Sequence, residues 1–183
     1  MRGLFGPGTY LLGGLAVLMV VLIVIGYLLP TEWVAEAEAR IDATPEEIIP
    51  FLDSPEGWRR WTVWPDSGLV RTGPDRGAGA SIAWNDRELG SGSFAIDEVQ
   101  DGSVRYSVEV AGAGSAVMTT SGIITLRPSG GATIASWREE GDLSRNPIMG
   151  YWALSMESAQ SAEMAKNLET LGRLVTEEGS DNR

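Results

Sequence analysis

Between Tyr10 and Leu29 the chain reads YLLGGLAVLMVVLIVIGYLL, twenty residues without a charge, closed by Pro30. Nothing else in the sequence constrains the fold as strongly. A helix rises about 1.5 Å per residue, so roughly 20 apolar residues are needed to cross a hydrocarbon core of about 30 Å. The run divides the chain into a short flank over 1–9, a transmembrane helix over 10–30, one folded domain over 31–177 and a disordered, wholly polar tail over 178–183. A cleavable signal peptide is the competing reading, because Ala35-Glu36-Ala37 has the small-x-small form of a cleavage site. Signal h-regions run about 7 to 15 residues, shorter than this one, and the preceding flank carries only Arg2 and the terminal amine. Cutting after Ala37 would also remove part of the first strand described below. A buried core helix is the third reading, and the anchor is the favoured one.

The charges beside the run set an expected orientation. Arg2 and the amine precede it, whereas Glu32, Glu36 and Glu38 follow it. Cationic flanks stay in the cytoplasm, which puts this single-pass protein in the inner or cytoplasmic membrane with its domain extracytoplasmic.

Some 150 residues then remain, enough for one domain with a sizeable core. The net charge of −11 argues against nucleic acid as a partner, since neutralising phosphates takes a basic face. It argues equally against docking of the domain on anionic lipid. The chain has no cysteine, so disulfides, thiolate metal sites and cysteine nucleophiles are all excluded. It has no histidine either, which removes the usual general base, metal ligand and partner of a serine nucleophile. No cofactor or metal is implied, and catalysis would rest on carboxylates, tyrosines, lysines or water.

From Glu32 to Ile41 the residues Trp33, Ala35, Ala37, Ala39 and Ile41 alternate with Glu32, Glu36, Glu38 and Arg40. Period two with one charged face predicts a half-buried strand. Thr44 followed by Pro45, Glu46 and Glu47 reads as a helix start, and Pro50 and Pro55 divide the next stretch into two short helices. Five further strands are expected in SIAWN, SFAIDEV, SVRYSVEV, VMTTSGIITLR and ATIASWREE, separated by the turn strings LGSG, QDG, AGAGS and PSGG. A long amphipathic helix is expected from about Pro147 to Glu177. Met164, Leu168, Leu171 and Val175 form its apolar stripe, Trp152, Met156 and Ala159 begin that stripe, and Glu157, Glu163, Lys166, Glu169 and Arg173 form the wet face.

The order is strand, two short helices, an antiparallel run, then one long helix able to cover the sheet. Particular strings accompany it: Ile41-Asp42-Ala43-Thr44-Pro45-Glu46-Glu47-Ile48, Trp58-Arg59-Arg60-Trp61-Thr62-Val63-Trp64-Pro65, Gly77-Ala78-Gly79-Ala80 leading to Trp84, and Gly141-Asp142 followed by Asn146-Pro147. In this order and spacing they resemble the SRPBCC (START-like) superfamily, which includes the polyketide cyclase/dehydrase group and membrane-anchored bacterial members. The resemblance covers roughly Trp33 to Val175. It implies an α+β helix-grip fold, a curved antiparallel sheet of about six strands wrapped on the C-terminal helix, preceded here by one transmembrane helix. It also implies a cavity between sheet and helix suited to an apolar ligand.

If alternation holds, Ile82, Trp84, Phe94, Ile96, Tyr106, Val108, Ile124, Leu126, Ala135 and Trp137 point inward, faced by Trp152 and Met156 from the helix. The small residues Ala80, Ala135, Ala159 and Ala162 leave room between them. At any one of these positions, packing in a dry core is the simpler account. Trp58 and Trp61, three apart, are expected to plug the end of the sheet rather than form a lid or a membrane contact. Glu139 follows Trp137 by two and should lie at the cavity rim, where a carboxylate can act as an acid or base or hold a polar head group. The commoner arrangement for such a residue is a pair with an arginine, here Arg59, Arg60, Arg138 or Arg145. The glycine-rich strings lack the lysine and following helix of a phosphate loop, and the hydroxyls of Ser115 and Ser121 have no histidine to activate them.

The expected function is binding of a hydrophobic or amphipathic, lipid-like small molecule by a membrane-anchored domain. A cyclase-type enzyme in which Glu139 or Tyr106 moves a proton is the alternative, and an envelope interaction module with a filled core is the third reading. Neither oligomeric state nor ligand identity is written in the sequence.

Overall fold

The computed structural model describes residues 7–87, 90–111, 117–143 and 147–181. The expected AGAGS turn, Asn146, Arg145 and Ser115 lie wholly or largely outside the described residues. Helix α1 (Pro7–Leu28) is followed by strand β1 (Glu32–Ile41) and by short helices α2 (Pro45–Ile48) and α3 (Pro55–Trp58), with a 3-10 turn at Ile49–Phe51 between them. Strands β2 (Val70–Thr72), β3 (Ser81–Asp86), β4 (Gly90–Gln100), β5 (Ser103–Ala111), β6 (Val117–Ser129) and β7 (Ala132–Asp142) lead to helix α4 (Pro147–Asp181).

The seven strands form one sheet in the order β1-β7-β6-β5-β4-β3-β2, every neighbouring pair antiparallel. The strand beyond the expected six is β2, three residues long and exposed throughout, too short to register as alternation. Elsewhere alternation is obeyed: in β7, Ala135, Trp137 and Glu139 are buried and Arg138 and Glu140 exposed. A bulge between Ile96 and Glu98 interrupts the β4–β5 register and adds local bend to the sheet. The β6–β7 hairpin turns at Gly130-Gly131, both at positive φ (59° and 82°), where a side chain would be strained.

Helix α4 lies against β1 and buries Met164, Leu168, Leu171 and Val175 as its stripe requires. It continues to Asp181, past the expected end at Glu177, and Glu178 on the last turn pairs with Arg60. The core between α4 and the sheet contains Ile41, Ile48, Leu52, Ile82, Ile96, Val104, Ile124 and Leu126. Helix α1 does not enter it. From Leu11 to Leu28 every residue is exposed except Gly26, against which the start of α4 is packed.

Candidate ligand-binding site

A row of residues crosses the inner face of the sheet from β1 to β4: Ala35, Glu139, Gly122, Tyr106 and Ile96, each directly opposite the next. Tyr106 on β5 and Glu139 on β7 are two strands apart, about 10 Å at normal spacing. Gly122 between them lets the phenol lie flat across β6, where a Cβ would stand inside van der Waals contact of the Tyr106 Cζ, Oη and Cε1 atoms. The Tyr106 hydroxyl thereby reaches Glu139 and donates to its Oε1, while accepting a hydrogen bond of 2.7 Å from Trp137 Nε1. The other carboxylate oxygen, Oε2, accepts from Gln160 Nε2 on α4 at 2.6 Å. The same aromatic-over-glycine arrangement recurs where Trp33 lies over Gly141 and Trp84 over Gly92.

Glu139 is only 5% exposed. Burial holds its carboxyl above the ordinary range, opposed by the hydrogen bonds from Tyr106 and Gln160 that favour the charged form. Burial and the neighbouring Glu139 charge push the Tyr106 phenol well up, so it stays protonated. Among the described residues no arginine pairs with Glu139: Arg59 pairs with Glu56, Arg60 with Glu178, and Arg138 with Glu36 and Glu140 on the outer face, while Arg145 lies outside the described residues. Strand alternation is the reason. Arg138 must point away from Glu139, and Arg59 and Arg60 are carried outward when Trp58 and Trp61 turn in.

Over Tyr106 and Glu139 stands an open cavity of about 370 Å³. Trp84, Phe94, Tyr106, Val108 and Trp137 line it from the sheet, Gln160, Glu163 and Asn167 from α4, and Trp58 with the segment Thr62 to Pro65 from the loop after α3. Trp58 is buried at the centre of an aromatic cluster, its ring 4.5 Å from Tyr106 and 5.2 Å from Phe94. Its indole N–H donates to Leu52 O at 2.6 Å, and that of the equally buried Trp61 to Phe51 O at 3.1 Å. The two plug one end of the sheet, and Trp58 also walls the cavity. Trp64 is half-buried beside Trp84 and Phe94. The indole N–H of Trp84 is buried without a hydrogen-bond partner among the described residues.

Of the residues expected to line a cavity, Ile82, Ile96, Ile124, Leu126 and Ala135 point inward but are packed in the solid core, where α4 and the short helices cover them. Met156 is half-buried against that core and does not reach the cavity. Trp152 is 55% exposed, because twelve residues before Met164 it lies roughly 120° around the helix from the buried stripe, which its neighbour Ala153 continues. Gln160, Glu163 and Asn167 escape a reading of the sequence because they lie one helical face away from the apolar stripe. Their i, i+3, i+7 spacing is the signal that could have found them.

A family model described as polyketide cyclase / dehydrase and lipid transport matches residues 32–176, the whole of the sheet and most of α4. The chain belongs to this family. Its fold suggests ligand binding, and α1, outside the match, is a candidate anchor. Among solved structures, norcoclaurine synthase from Thalictrum flavum is similar at 15% identity and a TM-score of 0.60, over 84% of this chain and 91% of that one. A hypothetical protein from Helicobacter pylori is similar at 10% identity and a TM-score of 0.58, covering 78% of this chain and 87% of its own. A protein of Thermus thermophilus is similar at 18% identity and a TM-score of 0.56, covering 78% and 97%. At such identities the likeness is one of fold. No curated protein matches the sequence significantly.

Proposed function

We propose that the chain is a membrane-anchored binder of a hydrophobic or amphipathic small molecule, seated in the cavity between the β-sheet, α4 and the tryptophan loop. The observation that carries this reading is an open, aromatic-walled space of about 370 Å³ with a few polar groups converging on one side. That volume lies at the lower end of the range of small-molecule sites. The apolar body of a ligand would lie on Trp64, Trp84, Phe94 and Val108. Its polar end would face Glu139 and Gln160, and an acceptor atom would satisfy the Trp84 indole N–H. Bulk water is held off by the Trp58–Trp61 plug on one side and α4 on the other.

Anchoring is supported by α1, a helix long and apolar enough to cross a membrane and almost wholly outside the core. It is supported too by β1, in which cleavage after Ala37 would discard the buried Trp33 and Ala35 and six pairs of a ten-pair ladder with β7. The flanking charges support an extracytoplasmic side for the domain. The buried acid favours a second reading. A protonated Glu139 backed by Tyr106 could donate a proton to a carbonyl held in the cavity, as an enzyme of the cyclase type would require.

Thermal unfolding of the detergent-solubilised chain tests the binding reading against a panel of fatty acids, isoprenoids and polycyclic aromatics. A ligand present at about 100 times its Kd adds about 2.7 kcal/mol. One class should raise the midpoint of the native protein and leave that of Val108→Phe, which fills the cavity, unmoved. A panel without any shift, or a shift that survives the filled cavity, contradicts the proposal. Glu139→Gln then separates the readings: a binder retains its shift, and an enzyme retains binding while losing turnover.

A further inference from the structure

The first turns of α4 read PIMGYWALSM from Pro147 to Met156, ten residues without a charge before Glu157. Ala153 is buried and Met149 and Met156 pack against the core, but four apolar side chains stay open: Ile148 is 69% exposed, Tyr151 39%, Trp152 55% and Leu154 63%. A small domain rarely leaves such a cluster open without a use for it. The cluster sits against the end of α1. Gly26 of α1 and Gly150 of α4 meet backbone to backbone, so closely that a Cβ on Gly26 would stand 2.8 Å from Pro147 C and one on Gly150 2.8 Å from Leu29 Cβ. The Tyr151 hydroxyl donates to the Leu22 carbonyl at 2.7 Å. Close glycine contacts and side-chain bonds to a neighbouring helix are the means by which helices associate inside lipid.

These contacts fix a depth. Leu22 lies six residues before the end of α1 at Leu28, about 9 Å down the helix axis. An α1 that spans the bilayer with Leu28 near the hydrocarbon boundary therefore carries the Tyr151 ring below that boundary. We infer that the first two turns of α4, with Ile148, Trp152 and Leu154 outermost and Tyr151 bonded to α1, are embedded in the lipid surface beside α1 as a second membrane contact of the domain. The inference rests on the reading of α1 as a membrane anchor. Tyrosine and tryptophan are the aromatic residues enriched at this level of a bilayer, and an uncharged helical face is what the acyl boundary accepts.

The embedded turns also place the cavity. Gln160, the first α4 residue to line it, is six residues beyond Leu154, about 9 Å along the helix. Headgroup layers are about 5–7 Å deep, so the cavity opens just above them, within reach of an amphiphile leaving the leaflet. The domain would then be held in one posture on the membrane and not swing on the Pro30 junction.

Because the chain has no cysteine, single substitutions can be labelled without background. Full-length Trp152→Cys and Leu154→Cys carry a bimane label in phosphatidylcholine vesicles. Val24→Cys on α1 and Glu169→Cys on the far part of α4 serve as lipid and water references. Lipids with brominated acyl chains quench from the membrane and iodide from the water. The inference predicts that labels at 152 and 154 are quenched by brominated lipid about as strongly as at 24 and are protected from iodide, while 169 behaves oppositely. Labels at 152 and 154 that follow 169, with 24 still quenched by lipid, overturn the embedding and leave the anchor standing. A label at 24 that is open to iodide overturns both.

Discussion

Gly122→Ala tests how the site is built. Gly122 stands between Tyr106 and Glu139, and a methyl group there would overlap the Tyr106 ring. Carbon atoms pack at about 3.5–4.0 Å, so the ring must retreat by more than about 1 Å. It has little room to do so, with Phe94 stacked at 5.4 Å and Trp58 at 4.5 Å. Overpacking of this kind costs about 1–3 kcal/mol. Withdrawal of the hydroxyl also strips buried Glu139 of a donor and Trp137 Nε1 of its acceptor, a further cost of about 1–3 kcal/mol. The total, about 2–6 kcal/mol, is a large part of the stability of a domain this size. At about 2–4 °C per kcal/mol the melting midpoint falls by roughly 4–24 °C. Near-ultraviolet circular dichroism, which reports the aromatic cluster, follows the melt. In a Tyr106→Leu background the same glycine substitution should cost less than about 1 kcal/mol, because the obstructing ring is gone. An undiminished cost in that background, or a Gly122→Ala protein as stable as the native one, refutes the proposed geometry.

Glu139→Gln should become more stable relative to the native protein as pH rises. The folded carboxyl titrates above its ordinary 4.5, so between that value and its folded pKa the native state keeps a proton that the unfolded chain has lost. Native stability falls through this window. Urea melts across pH should show the fall in the native protein and its absence in Glu139→Gln, and parallel profiles would count against a buried, raised carboxyl. Trp84→Phe removes an indole N–H that is buried without a partner among the described residues, so the unliganded protein should change by less than about 1 kcal/mol while any ligand-induced thermal shift shrinks. An undiminished ligand-induced shift would show that this N–H takes no part in binding. A cysteine at exposed Glu46 should react with a membrane-impermeant maleimide on intact spheroplasts, and labelling only after lysis would reverse the orientation.

Much of this fold is legible in the chain because most of its strands are half-buried, so alternation reports which face is which. Glu139 could be placed inward from Trp137 two residues away. Its partners could not, because they depend on cross-strand register. That Gly122 sits between Tyr106 and Glu139 depends on two hairpins whose exact pairing no local pattern states. The cavity lining was legible only for sheet residues near the open end. Ile82, Ile96 and Ile124 obey the same alternation as Phe94 and Tyr106, yet they are packed away in the core, whereas Phe94 and Tyr106, buried under Trp58, still border the cavity. Trp152 shows the opposite failure. At about 100° per residue it stands roughly 120–160° around α4 from Met164 and Leu168, so buried Ala153 and not Trp152 continues their stripe, and the first turns of α4 lie beside α1. Periodicity identifies an apolar face without saying what covers it.

Native mass spectrometry of the chain released from nanodiscs, with organic extraction of anything carried along, shows directly whether the cavity of about 370 Å³ holds a ligand. One bound apolar or amphipathic molecule per chain is expected, present on the native protein and missing from Val108→Phe. A native protein that flies empty, or an adduct retained when the cavity is filled, would contradict it.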